Sequence, residues 1–333
     1  EVRDAFRSDH KLIHVGNGML ELGETPSTRP FDPDYRSRNQ CPIEYHPEAK
    51  CQRFLDELLA PALEPDDIDL LQRYCGSLLL GGNPSQKIML LTGTPGGGKG
   101  TLVEIIEQVV GRQNVAEIRT EHLGNRFELF RFVGKTLLTG KDVPSNFLNT
   151  TGASVMKKLT GRDLIDAEGK HQNERMQLLG EFSIIVTSNS TLCVRLDGDA
   201  GAWERRIVTL NYEKPKPAKP IPFFAPKLLE EEGSGILNWF VEGAVRHLQE
   251  LDEHGMLMLT DGQRQRVSDL INESDSLRSF VGGEIAVVKD QKHTMTTDET
   301  IRAYATYCRE GGQQAQTDNQ VARLVPGLMS EIH

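Results

Sequence analysis

Residues 93–101, Gly-Thr-Pro-Gly-Gly-Gly-Lys-Gly-Thr, are the stretch of this chain whose residue types and spacing are best suited to chemistry. They match the spacing of a P-loop, which opens on Gly93 and closes on Gly98 and Lys99. Glycines let backbone N–H groups turn toward a phosphate without a Cβ clash, and the N-terminus of a following helix adds partial positive charge. The Lys99 ammonium would reach the β- and γ-phosphates of a nucleotide. The loop therefore predicts a phosphate site built from Gly93, Thr94, Pro95, Gly96, Gly97, Gly98, Lys99, Gly100 and Thr101.

The sequence on either side of this loop has the strand–loop–helix order that the motif requires. Residues 87–92 predict a buried strand, and residues 102–110 have the periodicity of an amphipathic helix. These flanks argue against a glycine-rich turn without a ligand. One position is irregular, because the hydroxyl that usually follows the lysine and holds Mg²⁺ is missing at Gly100 and moves to Thr101. We expect ATP and Mg²⁺ as cofactors, with Thr101 as a candidate metal ligand.

Two polar residues follow apolar runs farther along the chain. A P-loop nucleotidase also needs a carboxylate at the end of a neighbouring strand to organise Mg²⁺ and water. Asp142 follows the run 136–138 and is the candidate, and a turn aspartate before Pro144 is the plainer alternative. Asn189 follows the run 183–187 and could orient the attacking water near the γ-phosphate. A lone asparagine at a strand end is otherwise a common turn residue.

The segment Trp203-Glu204-Arg205-Arg206 places two arginines beside a predicted strand at 206–210. Paired arginines can form a solvated edge. In an oligomeric ATPase, either Arg205 or Arg206 could instead reach the γ-phosphate of a neighbouring subunit as an arginine finger. The sequence leaves open which of the two would do so.

A basic stretch precedes the Asn189 strand. Residues 167–171, Ala-Glu-Gly-Lys-His, predict the tip of a hairpin with Gly169 as the turn residue. A charged, solvated loop is the plainer interpretation of its composition. The candidate contacts to a nucleic-acid backbone are Lys157, Lys170, His171 and Arg175.

Composition bounds the class of protein. The chain has 333 residues and a net charge of −10, which argues against a protein that coats nucleic acid over its whole surface but allows a local basic lining. No apolar run approaches about 18 residues and no signal peptide opens the chain, so we expect a cytoplasmic protein without a membrane span. Because the chain does not begin with Met, we expect it to be a fragment. Its five cysteines lack a CxxC pair, which predicts reduced thiols, no zinc and an intracellular setting.

Pattern divides the chain into four regions. Alternating strand-like and helical runs in the second region predict a parallel α/β sheet, and Asp66 is a plausible N-cap for a helix in the first. The predicted regions are a helical domain at 1–82, a nucleotide-binding core at 83–212, a proline-rich connector and helical region at 213–275, and a helix-turn-helix or winged-helix-like module at 276–333.

Taken in order, these pieces resemble superfamily 3 helicases of the phage and plasmid primase type. The run Lys157-x-Leu159-Thr160-Gly161-x-Asp163 is similar to the segment before the DNA-binding hairpin of that family. The string Lys170-His171-x-Asn173-x-Arg175-x-Gln177, followed by residues 185–189, is similar to the hairpin and third motif of viral replication helicases. Weaker similarities lie at 17–20, 45–49 and 235–239, and in Tyr304, Tyr307 and Cys308.

The resemblance implies an AAA+-like ATPase core with a central parallel sheet, preceded by a small helical domain and followed by a helical or winged-helix-like module. It implies a ring, usually a hexamer, that moves 3′ to 5′ on single-stranded or forked DNA and is fused to or associated with a primase. Carried over by position, Lys99 binds phosphate, Asp142 is the second-motif acid, Asn189 is the sensor, and Arg205 or Arg206 is the finger.

Three departures from the family pattern bear on activity. Gly100 replaces the usual Ser or Thr, Lys141 stands where many relatives carry a second acid, and Leu192 replaces a common proline. Lys141 keeps open a different class, a P-loop assembly module with weak or no hydrolysis. A nucleoside monophosphate kinase has a similar loop, but it opens the fold with that loop, whereas 92 residues precede Gly93 here. The Asp-Gly-Phe-Pro-Arg motif of those kinases is also absent.

Overall fold

The computed structural model describes residues 12–23, 25–37, 39–149, 152–169, 175–194, 196, 199–215, 219–288, 294–311 and 315–333, without the side chains of residues 121, 149, 175 and 331. Its strands are β1 (Leu12–Val15), β2 (Gly18–Glu21), β3 (Ser27–Arg29), β4 (Ile88–Gly93), β5 (Val115–Glu117), β6 (Leu137–Gly140), β7 (Leu164–Glu168), β8 (Arg175–Leu179), β9 (Ser183–Thr187) and β10 (Ile207–Tyr212). Its α-helices are α1 (Pro65–Leu78), α2 (Lys99–Val110), α3 (Arg126–Leu129), α4 (Gly152–Thr160), α5 (Ala200–Glu204), α6 (Phe224–His254), α7 (Asp261–Ser274), α8 (Ser276–Glu284), α9 (Thr297–Glu310) and α10 (Asp318–Ile332).

The central sheet has five strands in the order β10-β4-β9-β6-β5, and all four neighbouring pairs are parallel. This confirms the predicted parallel α/β sheet and its four predicted strands. The fifth strand, β5, has only three residues and was not predicted. It pairs in parallel with β6. A three-residue run carries too little pattern for the sequence to identify it as a strand.

Helices cover both faces of this sheet, as the burial of successive residues in β4 and β9 requires. On one face, α1, α2 and α6 form a single apolar core with the strand residues Met89, Leu91 and Ile185. On the other face, Leu90, Ile184 and Val186 pack with residues of α3, α4 and α7.

The N-terminal region differs from the prediction of a helical domain. Residues 12–29 form a three-stranded antiparallel sheet, and a wide helical turn at Phe54–Leu59 and α1 follow it. Its apolar residues share one core with α2 and the central sheet, so the predicted boundary at 82 does not separate two hydrophobic cores. Helix α1 begins at Pro65, where the fixed φ of proline suits the first helical position, and not after an Asp66 cap.

The C-terminal region is helical, as predicted, and has its own small core built from Leu277, Phe280, Tyr304, Cys308 and Val321. Among its described residues, 276–288, 294–311 and 315–333, there are three helices and no strand. The winged part of the prediction is therefore not seen in these residues. No described helix is both long enough and apolar enough to cross a membrane.

Helices α1 and α6 pack backbone against backbone, and this contact closes the core on one face. A Cβ added to Gly243 would lie 2.0 Å from the Gln72 carbonyl oxygen, and one added to Gly76 would lie 2.0 Å from the Ala244 nitrogen. The Tyr74 hydroxyl of α1 donates to the Ile184 carbonyl of β9 at 2.7 Å, which ties the helix pair to the sheet.

We predict that Gly243→Ala lowers the free energy of unfolding by about 3 kcal/mol, because the α1 backbone cannot move aside without disturbing the core. The control is Gly262→Ala in α7, where no atom lies within 4 Å of the added Cβ. That change should shift stability by less than about 1 kcal/mol, in the stabilising direction. Urea unfolding of both variants measures the difference, and equal stabilities would contradict the packing described for α1 and α6.

Candidate functional site

The glycine-rich loop joins the end of β4 to the start of α2, as the sequence predicted. Gly93, Gly96 and Gly98 have φ angles of 117°, 81° and 97°, a region that side chains disfavour. A Cβ on Gly93 would also lie 2.5 Å from the Tyr212 carbonyl oxygen, which accepts a 3.0 Å hydrogen bond from the Thr94 amide. The last residue of β10 therefore supports the loop, and glycine is required where the two backbones meet.

Lys99 lies inside this loop and is only 5% exposed. Its Nζ donates to the carbonyls of Gly93 at 2.7 Å and Thr94 at 2.9 Å, and it lies 5.7 Å from the centre of the Tyr212 ring. Burial lowers the pKa of Lys99, and the negative charge of Asp142 opposes that shift. A buried ammonium held by weak neutral acceptors favours an anion beside it, because charge-assisted hydrogen bonds are stronger.

The residue after Lys99 has room for a side chain that the sequence does not supply. No atom lies within 4 Å of a Cβ placed on Gly100, so the fold does not require glycine at this position for steric reasons. Thr101, one residue later, lines the same cleft as Lys99 and Asp142. The hydroxyl at Thr101 and the carboxylate of Asp142 are hard oxygen donors of the kind that Mg²⁺ prefers, so these residues fit the ion.

Asp142 and Asn189 lie together at the carboxyl edge of the sheet. Asp142 follows β6 and has a φ of 47°, unusual for a non-glycine residue, while its amide donates to the Thr187 hydroxyl at 2.9 Å. The Asn189 side-chain amide lies 3.4 Å from the Asp142 carboxylate. Strained backbone held in place by its neighbours is common at functional sites. The structure thus brings together the loop, the acid and the amide that the sequence placed on three separate strands.

A cleft of about 480 Å³ runs from this edge toward two segments that sequence reasoning did not place there. One is the end of Phe54–Leu59 with the turn after it, which contributes Leu58, Pro61 and Ala62, and the other is the proline-rich connector. Lys214 of the connector donates to the Leu63 carbonyl at 2.7 Å and so joins the two segments. The apolar part of the cleft lining consists of Leu58, Pro61, Ala62, Pro215, Pro220, Ile221 and Phe224.

Glu107 is a further part of the site that sequence reasoning missed. It lies on α2 with its side chain only 9% exposed, and it accepts hydrogen bonds from the Thr139 hydroxyl and from Lys141. The local sequence pattern does not identify Glu107 as a site residue, because glutamates are common on amphipathic helices. Only the tertiary fold brings this one to Lys141.

The two candidate arginines lie at the opposite, amino edge of the sheet, immediately before β10. Arg206 is 6% exposed, donates to the Ala202 carbonyl at 2.9 Å, and has a pKa lowered by burial. Arg205 has an exposed side chain, and its carbonyl accepts a 2.6 Å hydrogen bond from Lys87, a buried lysine whose pKa is lowered to about 8 by burial. Six residues of strand, about 20 Å, separate both arginines from the P-loop of the same chain.

The predicted hairpin is present as the antiparallel pair β7–β8. Lys170 and His171 lie outside the described residues, and so does the side chain of Arg175. Lys157 is not on the hairpin. It belongs to α4, where its ammonium pairs with Asp199 at 2.9 Å and lies 5.7 Å from the centre of the Trp203 ring.

Comparison with known proteins identifies two segments of the chain. Residues 91–206 match a family of unknown function, DUF5906, and residues 3–60 match the family described as D5 N terminal like. The first segment runs from the glycine-rich loop to Arg206 and so contains all five candidate catalytic residues. No curated protein matches the sequence.

Solved structures of the NrS-1 C terminal region are similar to this chain. The apo structure of that region (305-718) has a TM-score of 0.54 and 13% identity, covering 85% of this chain and 72% of that one. An A form apo structure has a TM-score of 0.52 and 13% identity, covering 86% of this chain. The chain spans 65% of the length of that A form structure. At this identity the likeness is one of fold: the α/β architecture described here is shared with the NrS-1 C terminal region.

Proposed function

We propose that this chain is an ATP-dependent DNA helicase or translocase of the superfamily 3 type that acts in phage or plasmid replication. The observation that carries the proposal is the convergence of the Lys99 loop, Asp142 and Asn189 in one cleft at the carboxyl edge of a parallel sheet. The match of residues 3–60 to a D5 N terminal like family supports a relation to phage primase-helicases.

In this proposal each residue at the edge has a separate task. Lys99 and the loop amides would hold the β- and γ-phosphates of ATP, while Thr101 and Asp142 would hold Mg²⁺. Mg²⁺, when bound, neutralises charge on the phosphates. Asn189, whose amide lies 3.4 Å from the Asp142 carboxylate, orients the attacking water. The apolar part of the cleft lining would exclude bulk water from the rest of the nucleotide.

The arginines act between subunits. Because about 20 Å of strand separates them from their own P-loop, they can reach only a nucleotide held by another copy of the chain. Arg205 is the better candidate, since its side chain is exposed while its backbone is fixed by Lys87. The buried Arg206, which bonds the Ala202 carbonyl, is suited to holding the end of α5 in place. Assembly as a ring, with six subunits by family analogy, follows from such a shared site.

One observation favours a second candidate, a nucleotide-binding assembly module with weak or no hydrolysis. Asp142 is followed by no second carboxylate, and the preceding residue, Lys141, is a cation bound to Glu107. Such a module would bind ATP and assemble, but would show no turnover that depends on Lys99. The turnover assay described next separates the two candidates.

We predict that the chain hydrolyses ATP in the presence of Mg²⁺ and that Lys99→Ala lowers the rate by about 10²-fold or more, because the mutation removes charge stabilisation of the transition state. The control is Lys50→Ala, an exposed lysine outside the cleft, which should leave the rate unchanged. Steady-state phosphate release gives the turnover rate of the wild type and of both variants. Equal turnover by wild type and Lys99→Ala would contradict hydrolysis at this site.

For the shared site, we predict that a mixture of Arg205→Ala and Lys99→Ala subunits recovers part of the activity that each variant lacks alone. Each defect lies on a different side of the interface, so some mixed sites are intact. Arginine fingers contribute about 10³-fold or more to turnover. Arg206→Ala, measured in parallel, should mainly lower the free energy of unfolding. Absence of rescue in this mixture and in a second mixture of Arg206→Ala with Lys99→Ala, or a strictly monomeric protein with nucleotide bound, would count against the shared site.

For DNA, we predict that Lys170 and His171, which lie between β7 and β8 in the sequence, bind the strand. A Lys170→Ala/His171→Ala double variant should keep basal ATPase activity but lose DNA stimulation and unwinding. Each lost phosphate contact should reduce the salt slope of single-stranded DNA binding by about one unit. The matched control is His46→Ala/Lys50→Ala, which removes the same residue types from an exposed surface elsewhere. Superimposable salt titrations for wild type and the hairpin variant would reject this role.

A further inference from the structure

Lys141 brings a second ammonium to the cleft that contains Lys99. It directly follows β6, beside Asp142, and lines the same cleft as the glycine-rich loop. Its side chain is 41% exposed. The Lys141 side chain is therefore accessible to a ligand in the cleft.

The Lys141 ammonium is held in place by a buried carboxylate. Its Nζ lies 2.8 Å from Oε1 and 2.9 Å from Oε2 of Glu107, whose side chain is only 9% exposed. Glu107 also accepts a 2.9 Å hydrogen bond from the Thr139 hydroxyl, which is itself buried. A carboxylate in such a place needs these partners, because an unpaired buried charge is costly. Thr139 and Glu107 therefore form a fixed seat for the lysine.

The geometry of this seat leaves the lysine able to bind a ligand. An ammonium has three N–H donors, and the two oxygens of Glu107 engage at most two of them. Glu107 comes eight residues after Lys99 on α2, so about 12 Å of one rigid helix connects the lysine in the loop to the seat. The cleft thus has two ammonium groups in its lining, those of Lys99 and Lys141, and each can donate a charge-assisted hydrogen bond to a phosphate.

We propose that Lys141 is a second phosphate-binding residue, which donates from its seat on Glu107 to the terminal phosphate of a bound nucleoside triphosphate. This inference rests on the proposed function, since it concerns the same cleft. In this view the position where related proteins carry a second acid provides a cation, and the site senses the third phosphate through Lys141. Glu107 is then a positioning residue, which touches the lysine and not the nucleotide.

The test compares the affinities of two nucleotides, ATPγS and ADP, at equilibrium with Mg²⁺. Lys141→Met should lower the affinity for ATPγS about tenfold or more, because it removes a charge-assisted hydrogen bond to a phosphate. It should change the affinity for ADP by less than about twofold. Lys141→Arg should restore most of the preference for ATPγS. Lys135→Met is the matched control: Lys135 precedes β6, its Nζ donates to the Gln113 carbonyl at 2.6 Å, and it lies outside the cleft. It should change neither affinity.

Glu107→Gln tests the seat. The glutamine can still accept from Thr139 but no longer attracts the lysine, so the loss of ATPγS affinity should have the same sign as in Lys141→Met and be smaller. Urea unfolding of each variant separates this effect from loss of folded protein. Equal changes in ATPγS and ADP affinity for Lys141→Met, or none in either, would overturn the inference. So would faster hydrolysis in Lys141→Glu, since an acid would then suit the position better. If the wild type binds neither nucleotide, the proposed function itself fails.

Discussion

The parallel alignment of β4, β9 and β6 is the constraint on which the candidate site depends. Because parallel strands end at the same edge of a sheet, the residues that follow each strand meet there although they are far apart in sequence. Leu91 of β4 is in register with Thr187 of β9, and Gly140 of β6 is in register with Val186. Gly93, Asp142 and Asn189 come two residues after Leu91, Gly140 and Thr187, respectively. A shift of any one strand by two residues would move its polar side chain about 7 Å from the others.

The close contact of α1 with α6 completes the cleft. Gly76 and Gly243 let the two helices meet backbone to backbone, and Tyr74 fixes the pair to β9 through the Ile184 carbonyl. The chain before α1 and the chain before α6 then lie beside the glycine-rich loop, where they form the apolar wall. The N-terminal part of the protein is thus a component of the site, which agrees with its apolar residues belonging to the same core as α2.

Local sequence pattern was sufficient for the elements whose signal is short-range. The apolar runs before Gly93, Asp142 and Asn189 predicted β4, β6 and β9, and the turn signal at Gly169 predicted the β7–β8 hairpin. The glycine spacing likewise predicted the phosphate-binding loop, and Gly93, Gly96 and Gly98 adopt positive φ angles there, which only glycine does at low cost.

What the sequence did not reveal depends on contacts between distant segments. The seat of Lys141 on Glu107, the apolar wall from the connector and the difference in burial between Arg205 and Arg206 all arise from tertiary packing. The N-terminal strands of three or four residues are also too short for periodicity to identify them. Adjacent arginines look equivalent in a sequence. In the structure, Arg206 is buried against α5, where it donates to the Ala202 carbonyl, while the Arg205 side chain is exposed.

Hydrogen–deuterium exchange with and without Mg²⁺ and ATPγS tests the central claim most directly, since it locates bound nucleotide without requiring turnover. If the cleft binds a nucleoside triphosphate, amides in residues 93–101 should exchange more slowly when it is present, and so should those in the two wall segments, 57–62 and 219–224. The α8–α10 region, which lies outside the cleft, should not change. Unchanged exchange in residues 93–101 at saturating nucleotide would contradict the account.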